Sequence, residues 1–98
     1  MRQPAVLITG AARRIGAGIA RDLAQKGWRV LAHYHRSEAD ARALANEIAR
    51  SGGFCEPLAG DLGARADIES LVPRALEKVD RIDCLINNAA TFQYDAIA

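Results

Sequence analysis

The sequence predicts an α/β fold: a parallel sheet whose strands alternate with helices along the chain. Three observations carry this expectation. Apolar runs of strand length recur at Ala5-Val6-Leu7-Ile8-Thr9, at Arg29-Val30-Leu31-Ala32-His33-Tyr34 and at 82–86. Between them, apolar residues return at the spacing of one helix face. Glycines at Gly10, Gly27 and Gly52-Gly53 mark the changes from one pattern to the next. Alternation of this kind builds right-handed βαβ units on a parallel sheet.

The first run is apolar throughout, as expected of a strand buried on both faces. Ile15, Ile19 and Leu23 then recur at helical spacing, with Ala20 and Ala24 beside them, as the buried stripe of a first helix. Lys26-Gly27 supplies a cation and a glycine stop. After the second strand, 29–34, Ser37 is placed to cap a second helix. Glu38 and Asp40 follow in its first turn, where the helix dipole favours them. Ala41, Leu44, Ala45 and Ile48 form its buried stripe, and Gly52-Gly53 ends it. Residues 54–58 make a short third strand, weakened by Pro57. Residues 67–79 carry Ile68, Leu71, Val72, Ala75, Leu76 and Val79 at helical spacing, and Pro73 among them should kink or split that helix. Residues 82–86 form the fourth strand, and Asn87-Asn88-Ala89-Ala90 a turn at its carboxyl end.

With 98 residues and no internal repeat, the chain forms at most one small domain. A formal net charge of +1 gives no reason to expect a nucleic-acid or membrane-surface partner. The apolar runs are too short to span a bilayer, and Met1-Arg2-Gln3-Pro4 does not begin a signal peptide. Cys55 and Cys84 lack Cys-x-x-Cys spacing and fall in strand-like runs. They read as reduced core thiols of a cytoplasmic protein.

Gly10 directly follows the first strand, and Gly16 falls in the first turn of the helix after it. The strict G-x-G-x-x-G fingerprint is not met, because Ala12 and Ile15 stand where its second and third glycines would be. The strand–turn–helix context is nevertheless that of a phosphate-binding turn. Gly10 allows a sharp reversal, Gly16 allows close approach, and the helix start offers free N–H groups to an anion. The plain alternative is an ordinary strand-to-helix turn.

The segment TGAARRIG, Thr9 to Gly16, resembles the T-G-x-x-x-G-x-G of short-chain dehydrogenases/reductases, with Arg14 in the slot of the middle glycine. The form T-G-x-x-x-R-x-G is similar to that of the pteridine reductase branch. The resemblance implies a Rossmann-like doubly wound parallel sheet, truncated here to about four strands in the order 3-2-1-4 with three helices. Residues 1–98 would then be the N-terminal NADP-binding portion of a single Rossmann-fold domain. It also implies that Gly10, Arg14, Ile15 and Gly16 line the cofactor phosphates, with the Arg14 side chain reaching the substrate as well.

In a dinucleotide fold, an acid at the end of the second strand bonds the ribose 2′-hydroxyl of NAD. Here the strand runs into His35-Arg36-Ser37, which can receive a 2′-phosphate by charge and hydrogen bonding. The cofactor is therefore read as NADP. The hexad HYHRSE also resembles the corresponding pteridine reductase segment. His33 and His35 share a strand face, but no third metal ligand accompanies them, and His33 reads as a core histidine.

Three further matches follow from the resemblance. Asp61-Leu62 is similar to the pair that holds the adenine, although an aspartate there also suits a capping role. NNAATF, Asn87 to Phe92, resembles the family's N-N-A-G turn. It implies that Asn87 braces the sheet, that Asn88, Ala89 and Ala90 line the cofactor, and that Phe92 stacks on substrate. Ala90 departs from the serine usual in the branch.

The family's hydride chemistry uses a Tyr-x-x-x-Lys pair. Tyr34 is followed four residues on by Glu38 and Tyr94 by Ala98, so these 98 residues hold no catalytic residue and should be inactive alone. The expected function is the cofactor-binding portion of an NADP-dependent oxidoreductase that transfers hydride to a small carbonyl, imine or pterin substrate. A truncated, non-catalytic nucleotide-binding or assembly module is the alternative. With one helix on the second face of the sheet, the surface around Ile8 and Ile86 should be bare, and the chain should self-associate.

Overall fold

A computed structural model describes residues 3–12 and 14–88. Strands and helices alternate in chain order: β1 (Ala5–Thr9), α1 (Arg14–Gln25), β2 (Arg29–Tyr34), α2 (Glu38–Arg50), β3 (Phe54–Ala59), α3 (Arg65–Ala75) and β4 (Cys84–Asn87). The strands form one parallel sheet in the order β3-β2-β1-β4, the Rossmann-like arrangement expected. β1 lies inside it and is buried along its whole length.

The two-residue period of a strand divides the core between the sheet faces. Val6, Ile8, Val30 and Ala32 meet Ala17 and Ala20 of α1 and Leu44 and Ile48 of α2. Ala5, Leu7, Leu31 and Leu58 meet Leu71 and Ala75 of α3, with Val79 beyond it. One face therefore carries two helices and the other one.

The bare surface is not where the sequence placed it. Ile8 is fully buried and Ile86 packs against the two-helix core. Register pairs Ile8 with Ile86 and Leu7 with Leu85, so Leu85 is the β4 side chain on the one-helix face, and it is 60% exposed. With Ile68 and Val72 of α3 it borders an apolar groove of about 290 Å³.

Several boundaries differ from expectation for identifiable reasons. Ile15 is 73% exposed and takes no part in the α1 stripe, whose buried residues are Gly16, Ala17 and Ala20. The helix start lies so close to the β1 turn that only small residues fit beneath it. Ser37 occupies the N-cap position of α2, but its side chain makes no capping hydrogen bond. α3 ends at Ala75, two residues past Pro73, and a Leu76 N–H bond to the Val72 carbonyl (2.9 Å) closes the last turn. Pro57 is tolerated because β3 is an edge strand.

Cys55 and Cys84 are both free. They stand in one register row, Cys55–Val30–Val6–Cys84, on opposite edges of the sheet. Three strand spacings separate them by roughly 14 Å, twice the reach of a disulfide. Among the described residues, no helix is long and apolar enough to cross a membrane.

Candidate functional site

Among the described residues, those singled out for cofactor binding lie at or just beyond the carboxyl ends of the four strands. Gly10 leaves β1 with a φ of 62°, a conformation that favours glycine. Arg14, four residues on, has a φ of 53° and carries a side chain there. That conformation costs a non-glycine residue roughly 1–2 kcal/mol. The arginine therefore sits in a backbone slot shaped for glycine.

Gly16 shows how closely this turn is folded. A Cβ at Gly16 would lie 2.3 Å from the Gly10 carbonyl oxygen, 2.8 Å from Ala11 Cα and 2.9 Å from Asn88 Nδ2. No side chain fits. Gly18, two residues further along α1, has nothing within 4 Å of its equivalent position and belongs to the exposed helix surface.

The turn is held from below by polar side chains. The Thr9 hydroxyl donates to Asn87 Oδ1 (3.0 Å), joining the ends of β1 and β4, so Asn87 does brace the sheet. Asn88 Nδ2 donates to the Gly10 carbonyl (3.1 Å). On the other side, the Gly10 N–H donates to His33 Nδ1 (3.0 Å) and the Ala11 N–H to the His33 carbonyl (2.9 Å). His33 is only 2% exposed. Its Nε2 donates to the Gly60 carbonyl (2.8 Å) after β3. Burial is the main influence on its pKa and lowers it. The sequence marks His33 as a core histidine but gives no sign of these contacts. The available clue was a lone polar residue near the end of an otherwise apolar strand.

Beyond β2, His35 and Arg36 are exposed and Ser37 is half-buried. Gly10, Ala12, Tyr34, His35 and Ser37 line a cleft of about 120 Å³, which brings the glycine turn and the β2 end to one opening. Among the described residues, neither Arg14 nor Arg36 is in a salt bridge. Both guanidinium groups are therefore available to an anion.

Asp61 follows β3. Its Oδ1 accepts the Gly63 N–H (2.8 Å), and its own N–H donates to Asp67 Oδ2 (2.8 Å). Its Oδ2 faces His35 Nε2 at 3.7 Å. The carboxylate thus tightens the turn before α3 with one oxygen and faces the cleft side with the other. The Leu62 side chain packs toward the one-helix core and lines the apolar groove, so only its backbone is free to meet a ligand in the cleft. Ile15 stands exposed beside Arg14 at the start of α1. Ala89, Ala90 and Phe92 lie outside the described residues.

The fit to a dinucleotide can be tested on this geometry. A helix start with small residues beneath it, a turn that a single Cβ would fill and two unpaired cations are what a pyrophosphate and an added phosphate require. A shallow groove between α1 and α2, lined by Arg21, Glu47 and Ile48, lies at the opposite end of the sheet and has no part in this.

Comparison with known proteins agrees with the fold. The chain is 34% identical over 91 residues to an uncharacterized oxidoreductase of Methylorubrum extorquens, covering 93% of this chain and 37% of that protein. It is 36% identical over 83 residues to a 3-oxoacyl-[acyl-carrier-protein] reductase of Synechocystis, covering 85% of this chain and 34% of that one. Among solved structures, alternative dihydrofolate reductase 1 (FolM) of Brucella canis, complexed with NADP, superposes with a TM-score of 0.84 at 42% identity. That match covers 92% of this chain and 36% of that structure. The chain thus spans little more than a third of the length of these relatives. The family model described as short chain dehydrogenase matches residues 4–97, and the chain belongs to the short-chain dehydrogenase family.

Proposed function

We propose that residues 1–98 are the N-terminal, NADP-binding portion of a reductase of the pteridine reductase branch, acting on a small carbonyl, imine or pterin substrate. One observation carries the reading. The glycine turn and the end of β2 line a single cleft, each of these two turns carries an exposed arginine, Arg14 and Arg36, and the residues directly after β2 are His35-Arg36-Ser37 with no acid among them. A 2′-phosphate is attracted by Arg36 and accepts a hydrogen bond from the Ser37 hydroxyl, where an acid would repel it. The α1 start and Gly10 receive the pyrophosphate, and Asp61 Oδ2 and the Leu62 backbone face the adenine. Asn88, Ala89 and Ala90 are proposed as contacts for the nicotinamide end, and Phe92 as a contact for the substrate. The likeness to a dihydrofolate reductase supports a pterin as substrate.

When bound, NADPH supplies the hydride, and the reduced carbonyl or imine takes its proton from a group outside these 98 residues. The chain alone is proposed to be inactive for that reason. A cytoplasmic setting is proposed from its two free cysteines.

The cofactor reading is tested by fluorescence titration with NADPH and NADH of the protein and of Arg36→Glu. A charge-assisted phosphate contact contributes roughly 1.5–3 kcal/mol, so affinity for NADPH should fall by about tenfold to a hundredfold while that for NADH holds. Equal NADPH affinity in both proteins refutes the reading.

One observation favours a second reading, an assembly module that self-associates: Ile68, Val72, Leu76 and Leu85 are all exposed on the one-helix face. Analytical ultracentrifugation decides it, since a monomer that unfolds cooperatively at high concentration contradicts self-association.

A further inference from the structure

We infer that His33 is a positioning residue for the dinucleotide: one neutral imidazole ties the glycine turn after β1 to the turn after β3. The inference rests on the cofactor reading above and adds a role for a residue that the cofactor need not touch.

The ring sits between two glycine backbones. Nδ1 accepts from the Gly10 N–H at 3.0 Å, and Nε2 lies 2.8 Å from the Gly60 carbonyl. An amide N–H only donates and a carbonyl only accepts, so a single tautomer satisfies both, with the hydrogen on Nε2. The backbone of the same residue accepts the Ala11 N–H, so His33 holds the peptide groups on both sides of Gly10. On the far side, the Gly60 N–H donates to the Tyr34 carbonyl at 3.0 Å. Three strand ends are thereby fixed by two successive residues of β2. An apolar side chain of the same size would leave the Gly10 N–H and the Gly60 carbonyl without these partners.

The device works only in the neutral form. A proton on Nδ1 would point at the Gly10 N–H, donor against donor, and release the glycine turn. Burial pulls the His33 pKa below its ordinary 6.5, His35 and Arg74 push it the same way, and the Gly60 carbonyl opposes them. The ionisable groups that act on it are His35, just beyond the end of β2, and Arg74 of α3, while β1 brings no ionisable side chain. On the β3 side, Glu56 pairs with Lys78 and Asp61 faces His35. Because the folded pKa is depressed, the link is complete above pH 6.5 and is lost as pH falls through that lower value.

The test is calorimetric titration of NADP into the full protein that carries this chain, at pH 8 and in steps down to pH 5, for wild type, His33→Leu and His33→Asn. At pH 8 the leucine variant should bind about tenfold more weakly. Asparagine keeps an acceptor for the Gly10 N–H but cannot reach Gly60, so its loss should be smaller, about threefold. Titration of the 2′-phosphate is common to all three proteins. The acid loss belonging to His33 is the part that disappears in both variants. Nitrogen-15 shifts of the wild-type ring supply a readout that needs no variant to fold, and should show Nδ1 unprotonated and Nε2 protonated at pH 8. The opposite tautomer, or identical affinities and pH profiles in all three proteins, overturns the inference while NADP binding stands. Absence of wild-type binding overturns the cofactor reading and this inference together.

Discussion

Replacing Gly16 with alanine adds one methyl group at the tightest point of the site, and its cost can be worked from three distances. The new Cβ would stand 2.3 Å from the Gly10 carbonyl oxygen and 2.8 Å from Ala11 Cα, both backbone atoms, and 2.9 Å from Asn88 Nδ2. Backbone cannot rotate aside as a flexible side chain does, so α1 must lift off the β1 turn. Overpacking of this kind costs about 1–3 kcal/mol. Displacing the Asn88–Gly10 hydrogen bond adds roughly 1 kcal/mol. Gly18 is the internal control: it lies in the same helix with open space around it, and alanine there should stabilise by about 0.5–1 kcal/mol. Urea denaturation should therefore separate Gly16→Ala from Gly18→Ala by roughly 2.5–5 kcal/mol at unchanged m. NADPH titration should show binding lost only in the former. Coincident unfolding midpoints would refute the claim that the turn is closed by backbone contact.

Arg14→Gly relieves a backbone held at φ 53°, so stability should rise by up to about 1 kcal/mol while NADPH affinity falls about tenfold. Denaturation and cofactor titration of one sample read both signs. The Asp83 carboxylate accepts the Ala5 N–H at 2.8 Å, and this bond holds its pKa below 3.8. Its contribution is present above pH 3.8 and is lost as pH falls through the lower folded value, so Asp83→Asn should flatten the acid limb of a stability–pH curve. Burial pushes the Cys55 thiol up to about 12. About one in ten thousand is thiolate at pH 8, so labelling of Cys55 by a disulfide reagent should wait on unfolding, as mass spectrometry of the labelled peptide would show.

The element order was legible because each strand is a short apolar run and each helix a periodic one. What the sequence could not set were ends decided by neighbours. The fourth strand was expected at 82–86 and is found at Cys84–Asn87. Val6 pairs with Cys84, so residue 82 would fall opposite Pro4, which has no N–H to share, whereas Asn87 gains Thr9 as a partner. The third helix was expected to begin at Asp67, but that carboxylate turns back to the Asp61 N–H and the helix starts at Arg65. Placing the bare surface at Ile8 and Ile86 was an error of one residue in register. With a period of two, a one-residue slip moves the whole assignment to the other face. In the site, the tight turn at Gly10 and Gly16 was legible from the glycines themselves, while the Arg36-Ser37 corner supplies the basis of the cofactor proposal. The role of His33 was not, because its partners are backbone atoms of two other strands.

The two ends of the sheet are held by different means, and that bears on how the site works. At the amino end, the ties lie near the surface: Asp83 to the Ala5 N–H, and Arg29 to the Gln3 carbonyl and to Asp80. At the carboxyl end, Thr9, His33, Asn87 and Asn88 link strand ends and turns through part-buried hydrogen bonds between neutral groups. Interior hydrogen bonds between neutral groups are insensitive to salt, whereas exposed ion pairs are screened. The turns that would meet a dinucleotide are thus ordered in advance by neutral groups, and the cations at Arg14 and Arg36 stand outside that network. Cofactor affinity should therefore fall steeply as ionic strength rises, while the shape of the turns does not change. A ligand meeting preformed turns pays little ordering entropy, so the arginines can be exchanged to alter cofactor choice without unfolding the scaffold that presents them.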